Sequence, residues 1–131
     1  MRISRSSAFP ILRLVCCAAG LAAAACGGEP RVYGQNPEAV EPTPVLQIRI
    51  DPKSFQGRTV VLEGEIVNVD PEMGASFILE DGTGEIFVDL EGGRQFTVPR
   101  DLGGSKAIVQ GIVSAEIVEE PYLIGHGVRV P

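Results

Sequence analysis

Cysteine is scarce in this chain and poorly placed for structural use: the three residues are Cys16, Cys17 and Cys26, and none follows in 27–131. The region after Cys26 can therefore form neither an intrachain disulfide nor a thiolate metal site, and its stability must come from apolar packing. Tryptophan is absent, aromatics make up 5% of the residues, and His126 is the sole histidine. A base-stacking surface and a multi-histidine metal centre both lack their raw material. Long apolar runs are missing too, since the stretch from Phe9 to Ala25 is interrupted by Arg13 and falls short of the roughly 20 residues that a membrane span needs. Basic residues are few. Removing residues 1–25 takes away Arg2, Arg5 and Arg13 and no acid, which leaves eight Lys and Arg against 17 Asp and Glu and moves the formal charge from −6 to −9. Nucleic acid is disfavoured as a partner, because such affinity rests on cationic side chains neutralising phosphates.

What is present begins with an address. Arg2 and Arg5 give a positive start, an apolar run follows, and Ala23-Ala24-Ala25 places small residues before Cys26, the order of an export signal. This ending resembles the bacterial lipoprotein signal, although Ala23 stands where such signals usually carry Leu. The resemblance implies a signal peptide over 1–25, cleavage before Cys26, acylation of that cysteine with palmitate-type chains, and the membrane as a partner. An ordinary secretory signal cut near Ala25 and an uncleaved anchor are the alternatives. Gly27 after Cys26, rather than the aspartate associated with inner-membrane retention, points to the outer membrane facing the periplasm in a Gram-negative cell. Residues 26–45 contain four prolines and three glycines with little apolar periodicity, so they read as a flexible linker. The alternative is an arm laid on the domain through Val32 and Tyr33.

Residues 46–131 form one small all-β domain, large enough for a single core and too small for two. Leu46, Ile48 and Ile50 alternate with Gln47 and Arg49 and predict a short strand. The run RTVVLEGEIVNVD then puts Val60, Leu62, Gly64 and Ile66 on one face, with Glu63, Glu65 and Asn68 on the other. Gly64 interrupts this branched strand where a bend or bulge is expected. KAIVQGIVSAEIV repeats the plan, with Val109, Gly111 and Val113 opposite Ile108, Gln110 and Ile112. Between them SFILED and GEIFVDL flank Asp81-Gly82-Thr83-Gly84, a hairpin turn. The segment from Glu91 to Ser105 is broken by glycine and proline; it allows one helical turn at Pro99–Leu102 and makes Phe96 and Leu102 plugs for the barrel. A last strand covers Tyr122–Val130.

Five β runs after Pro52, with long bent strands first and fourth and an irregular plug after the third, predict a five-stranded OB-like Greek-key barrel. The stretches GRTVVLEGEIVNV, FILEDGTGEIFVDL and FTVPRDLGGSKAIVQGIV resemble exported bacterial OB-fold domains found in small lipoproteins. The likeness covers about residues 57–130 and implies fold and location, not an activity. Some relatives carry a cysteine pair around the first hairpin, where this chain has Asp70 to Ser76 and no cysteine, so no thiol role transfers.

The candidate binding residues are Phe87, His126, Glu80 and Asp81. Phe87 is out of phase with Ile86 and Val88 and so is expected to face outward, whereas Phe77 belongs to the core. His126 is the sole histidine and lies between two glycines, but a zinc site needs companions that the sequence does not supply. Glu80, Asp81, Glu85 and Asp89 read first as a solvated acidic hairpin. No serine lies in a nucleophile elbow. These residues favour a noncatalytic binding module of the envelope, without metal or cofactor, recognising an envelope protein or small molecule through the first hairpin loop and the segment from Glu91 to Gly104. A small enzyme using His126 with nearby carboxylates and a purely structural envelope component are the competing expectations.

Overall fold

The computed structural model describes residues 29–131. The expected signal peptide and Cys26 lie outside them. No helix among the described residues is long and apolar enough to cross a membrane. Six strands and two short helices follow in order: β1 (Arg31–Gly34), α1 (Val45–Ile50), α2 (Pro52–Phe55), β2 (Thr59–Val67), β3 (Ser76–Glu80), β4 (Glu85–Asp89), β5 (Lys106–Ser114) and β6 (Tyr122–Val130).

Strands β2 to β6 close a ring in the order β2-β3-β4-β6-β5 and back to β2, with every pairing antiparallel except β4 on β6. This is the five-stranded OB-like barrel expected from the strand pattern. Alternation fills it: Phe77 and Leu79 from β3, Ile86 and Val88 from β4, and Leu62 and Ile66 from β2 are all buried in one apolar cluster, which Leu90, Val98 and Leu102 extend from the following loop. Phe96 is partly buried against the same cluster, so both expected plugs are in place. Pro99 to Leu102 makes a single turn, closed by the Leu102 N–H donating to the Pro99 carbonyl at 3.3 Å.

Gly64 marks the corner of the barrel. β2 pairs with β5 over Thr59–Glu65 and with β3 over Glu65–Val67, so the strand changes neighbour at Glu65. A Cβ on Gly64 would stand 2.5 Å from the Glu80 carbonyl oxygen, which only a residue without a side chain allows. The bulge itself lies elsewhere, between Gln110 and Gly111 in the β5–β6 ladder.

Two expectations are corrected. The alternating run Leu46–Ile50 is helix α1, not a strand: it buries Val45 and Ile48, three residues apart, and leaves Leu46 and Ile50 exposed, the spacing of a helix rather than of a pleat. Six residues are too few for either period to dominate in isolation. What decides is capping from outside the segment, since the Val45 N–H donates to Asp81 Oδ2 at 2.9 Å and the Leu46 N–H to Thr83 Oγ1 at 3.0 Å. Those donors have no partner within the helix.

The second correction concerns the linker. Of the segment expected to be flexible, Arg31–Gly34 is a strand paired with Val130–Gly127 of β6, which is the arm that Val32 and Tyr33 suggested. β5 follows one edge of β6, while β4 and β1 share the other over Tyr122–Ile124 and Gly127–Val130. The chain then crosses the barrel as a belt. Gln35 N–H donates to the His126 carbonyl at 2.9 Å, Arg129 to Asn36 Oδ1 at 2.9 Å, Glu38 N–H to Gln110 Oε1 at 2.7 Å, and Thr43 N–H to the Val61 carbonyl at 2.8 Å. Gln110 points outward on β5 yet is only 7% exposed. The belt gives this otherwise orphaned amide a backbone partner.

Candidate functional site

The acidic hairpin is built by its own backbone. Asp81 Oδ1 accepts from the Thr83 N–H at 2.8 Å, the Thr83 hydroxyl at 2.7 Å and the Gly84 N–H at 3.2 Å, while Oδ2 caps α1 through Val45. Glu80 Oε2 accepts from the Gly82 N–H at 3.1 Å. Partial desolvation pushes the Asp81 carboxyl upward, but the combined hydrogen bonds from Thr83, Val45 and Gly84 outweigh it and hold the group below its ordinary value. A groove of about 560 Å³ runs beside the turn, between Pro42–Pro44 and the backbone of Glu63–Glu65, with Lys106 at its rim. Glu65 stands opposite Glu80 on one side and Lys106 on the other. The two like charges facing each other repel, and Lys106 supplies the compensating charge.

Phe87 lies on a different face. Along β4 the residues alternate between exposed and buried, and Phe87 is 47% exposed while Ile86 and Val88 are sealed in the core. The parallel pairing of β4 with β6 sets Tyr122 directly beside it, with ring centroids 6.4 Å apart and edge-on at 62°. Arg49, Asp89, Glu120 and Pro121 complete a groove of about 450 Å³ around this pair. A second hollow of about 350 Å³, lined by Arg49, Ile78, Glu85 and Ile86, continues past Phe87. Arg49 is held over the sheet by donating to the Glu85 carbonyl at 3.1 Å. Its guanidinium keeps further donors for a ligand.

The first hairpin loop and the segment after β4 meet each other: Val98 N–H donates to the Gly74 carbonyl at 2.9 Å, and Arg100 reaches the Pro71 carbonyl at 3.1 Å. Asp70 organises the former loop by accepting from Glu72 N–H at 3.1 Å. That bond chiefly, opposed by slight desolvation and aided by Ala75, Met73 and the Arg100 charge, holds the Asp70 carboxyl below its ordinary value. The paired loops start at the rim of the aromatic groove, where Asp89 Oδ1 accepts from Glu91 N–H at 2.9 Å.

His126 stands apart from the other candidates. It lies on β6 four residues beyond Tyr122, about 13 Å along the strand, and a Cβ on Gly93 would stand 2.7 Å from its Cδ2 atom. The imidazole is therefore packed under the turn that follows β4. Glu119 and Glu120 lie in the turn before β6, and Glu120 lines the groove at Tyr122, at the start of the strand and away from the imidazole. Among the described residues no group of three His, Cys, Asp or Glu side chains is placed to hold a metal ion.

Of the four candidates, then, Glu80 and Asp81 share the turn, Phe87 has its own groove, and His126 joins neither. Tyr122, Pro121 and Arg49 were missed. The parallel contact between the third and fifth barrel strands, implicit in an OB topology, was the signal that could have found Tyr122. Arg49 had none, because its position depends on α1. The chain matches no protein-family model, and comparison with curated proteins and with solved structures gives no match.

Proposed function

We propose that this protein is a noncatalytic recognition module of the bacterial cell envelope, anchored through a lipid on Cys26 and binding a protein partner through the groove around Phe87. The carrying observation is a half-exposed aromatic paired edge-on with Tyr122 and flanked by Arg49. Tyr, Phe and Arg are the side chains enriched where protein interfaces concentrate their energy, because each offers a large contact area together with a directed polar or π interaction. Strands β3 and β4 also present the face that OB barrels use for ligands. The outer membrane, facing the periplasm, is the proposed location, from Gly27 next to the anchor.

A photo-crosslinking residue at position 87 of the lipidated full-length chain should give a discrete protein adduct in the native envelope. Arg49→Ala should weaken it, and the same crosslinker at Val40, exposed on the belt, should not form it. No adduct from position 87, or the same adducts from position 40, would remove the groove from the case. Anchoring is tested separately: Cys26→Ser should release the protein from the membrane fraction and leave the barrel's unfolding midpoint unchanged, since the strands and helices that build the barrel and its arm lie within residues 31–130.

A further inference from the structure

We infer that the barrel is held close against the lipid surface with the Phe87 groove turned away from it; this rests on the Cys26 anchor proposed above. A free linker over residues 26–45 would reach about 65 Å when extended, at roughly 3.4 Å per residue. The belt removes most of that length. Because Arg31 is paired with Val130 and the chain beyond it is bonded to β6, β5 and β2 in turn, only residues 27–30 separate the anchor from the barrel. Five Cα steps from Cys26 to Arg31 span at most about 17 Å.

The attachment point fixes which end is near. Arg31 sits at the Val130 end of β6, whereas the groove is built at the Tyr122 end. Eight residues of strand separate these ends, up to about 26 Å. Charge along β6 alone runs the same way. Arg31 and Arg129 lie at the attached end, with Lys106 at the start of the neighbouring β5, while the loop before Tyr122 carries Glu116, Glu119 and Glu120. An anionic lipid surface attracts the first set and repels the second. Glu63, Glu65, Glu80 and Asp81 share the groove of Lys106 and offset it, and Glu29 lies beside the arm, so the contrast is confined to β6 itself and the short tether carries the orientation. The groove is thereby presented to the aqueous space at a fixed height.

The test uses the lipidated full-length protein reconstituted in vesicles of phosphatidylethanolamine and phosphatidylglycerol, with energy transfer measured from a protein-bound donor to a headgroup acceptor. Donors are placed through Pro131→Cys at the attached end and Ile117→Cys in the far loop, both exposed positions. Transfer from position 131 should exceed that from position 117 by roughly twofold or more, given the strand length between them. A flexible Gly-Ser insertion between Pro30 and Arg31 leaves every barrel contact intact and should abolish the difference. Equal transfer from the two donors with Cys26 acylated overturns the orientation alone. A difference that survives the insertion overturns the short tether as its cause. An unacylated Cys26, read from the mass of the N-terminal peptide, overturns the inference together with the anchoring on which it stands.

Discussion

The β3–β4 turn and the groove beside Phe87 are both edged with carboxylates, yet their polar atoms are committed differently. At the turn, Asp81 accepts four hydrogen bonds from its own chain, and Thr83 spends its hydroxyl oxygen on Leu46. At the groove, Glu120 and most of the Arg49 fork face solvent around a half-exposed ring. An acidic cluster whose oxygens already satisfy local N–H groups is a structural joint. A sparser cluster around an uncovered aromatic has unspent contacts for a partner. Here the joint couples distant segments, because the turn at residues 81–84 supplies the cap for a helix that starts at Val45.

This contrast can be broken most forcefully at Gly64, where the turn meets the barrel corner. Gly64→Val should destabilise the domain by about 1–3 kcal/mol, since the new Cβ meets the Glu80 carbonyl and neither backbone can retreat without disturbing the ladder. Urea unfolding that gives equal or greater stability would show that the close approach carries no constraint. Asp81→Ala comes next, with an expected loss of about 1–2 kcal/mol from the missing cap and turn bonds. Asp81→Asn, which keeps an acceptor, should lose less; equal losses would deny the cap its role.

Acid sharpens the comparison further. The folded Asp81 carboxyl titrates below its ordinary value of 3.8, so the stability it adds is fully present above that value and is lost as the pH falls through the lower folded value. Asp70 acts in the same direction. Stability measured from pH 6 down to pH 2 should fall less steeply in Asp81→Asn than in the wild type, and parallel curves would sink the assignment. Phe87→Ala should have the smallest effect on folding, under about 1 kcal/mol for a half-exposed ring, while losing co-purification of the protein that a crosslinker at position 87 captures. A large loss of stability would make Phe87 a packing residue instead.

The barrel was legible because its strands are alternating runs rich in branched residues and bounded by turn signals. Ile86 and Val88 against Phe87, or Val60 and Leu62 against Glu63, state the pleat directly, and branched residues with an Asp-Gly turn leave few competing structures. Val45–Ile50 was not legible for the opposite reason. Alternation over the five residues Leu46–Ile50 fits a strand as well as a helical turn and a half, and the first free N–H groups of the helix are answered by Asp81 and Thr83, more than thirty residues later.

The belt shows the same division. Its prolines and glycines correctly exclude a helix or a long strand, but they do not reveal that the β6 edge beyond Ile124 is open to a short arm or that Gln110 awaits a donor from Glu38. By itself the sequence determined the five barrel strands, the faces of Phe77 and Phe87, the acidic balance and the absence of thiols beyond Cys26, because these follow from local pattern and composition. Only the tertiary structure decided that Asp81 is a joint, that Tyr122 and Arg49 join Phe87, and that residues 31–44 are bound, because each depends on atoms brought together from distant parts of the chain.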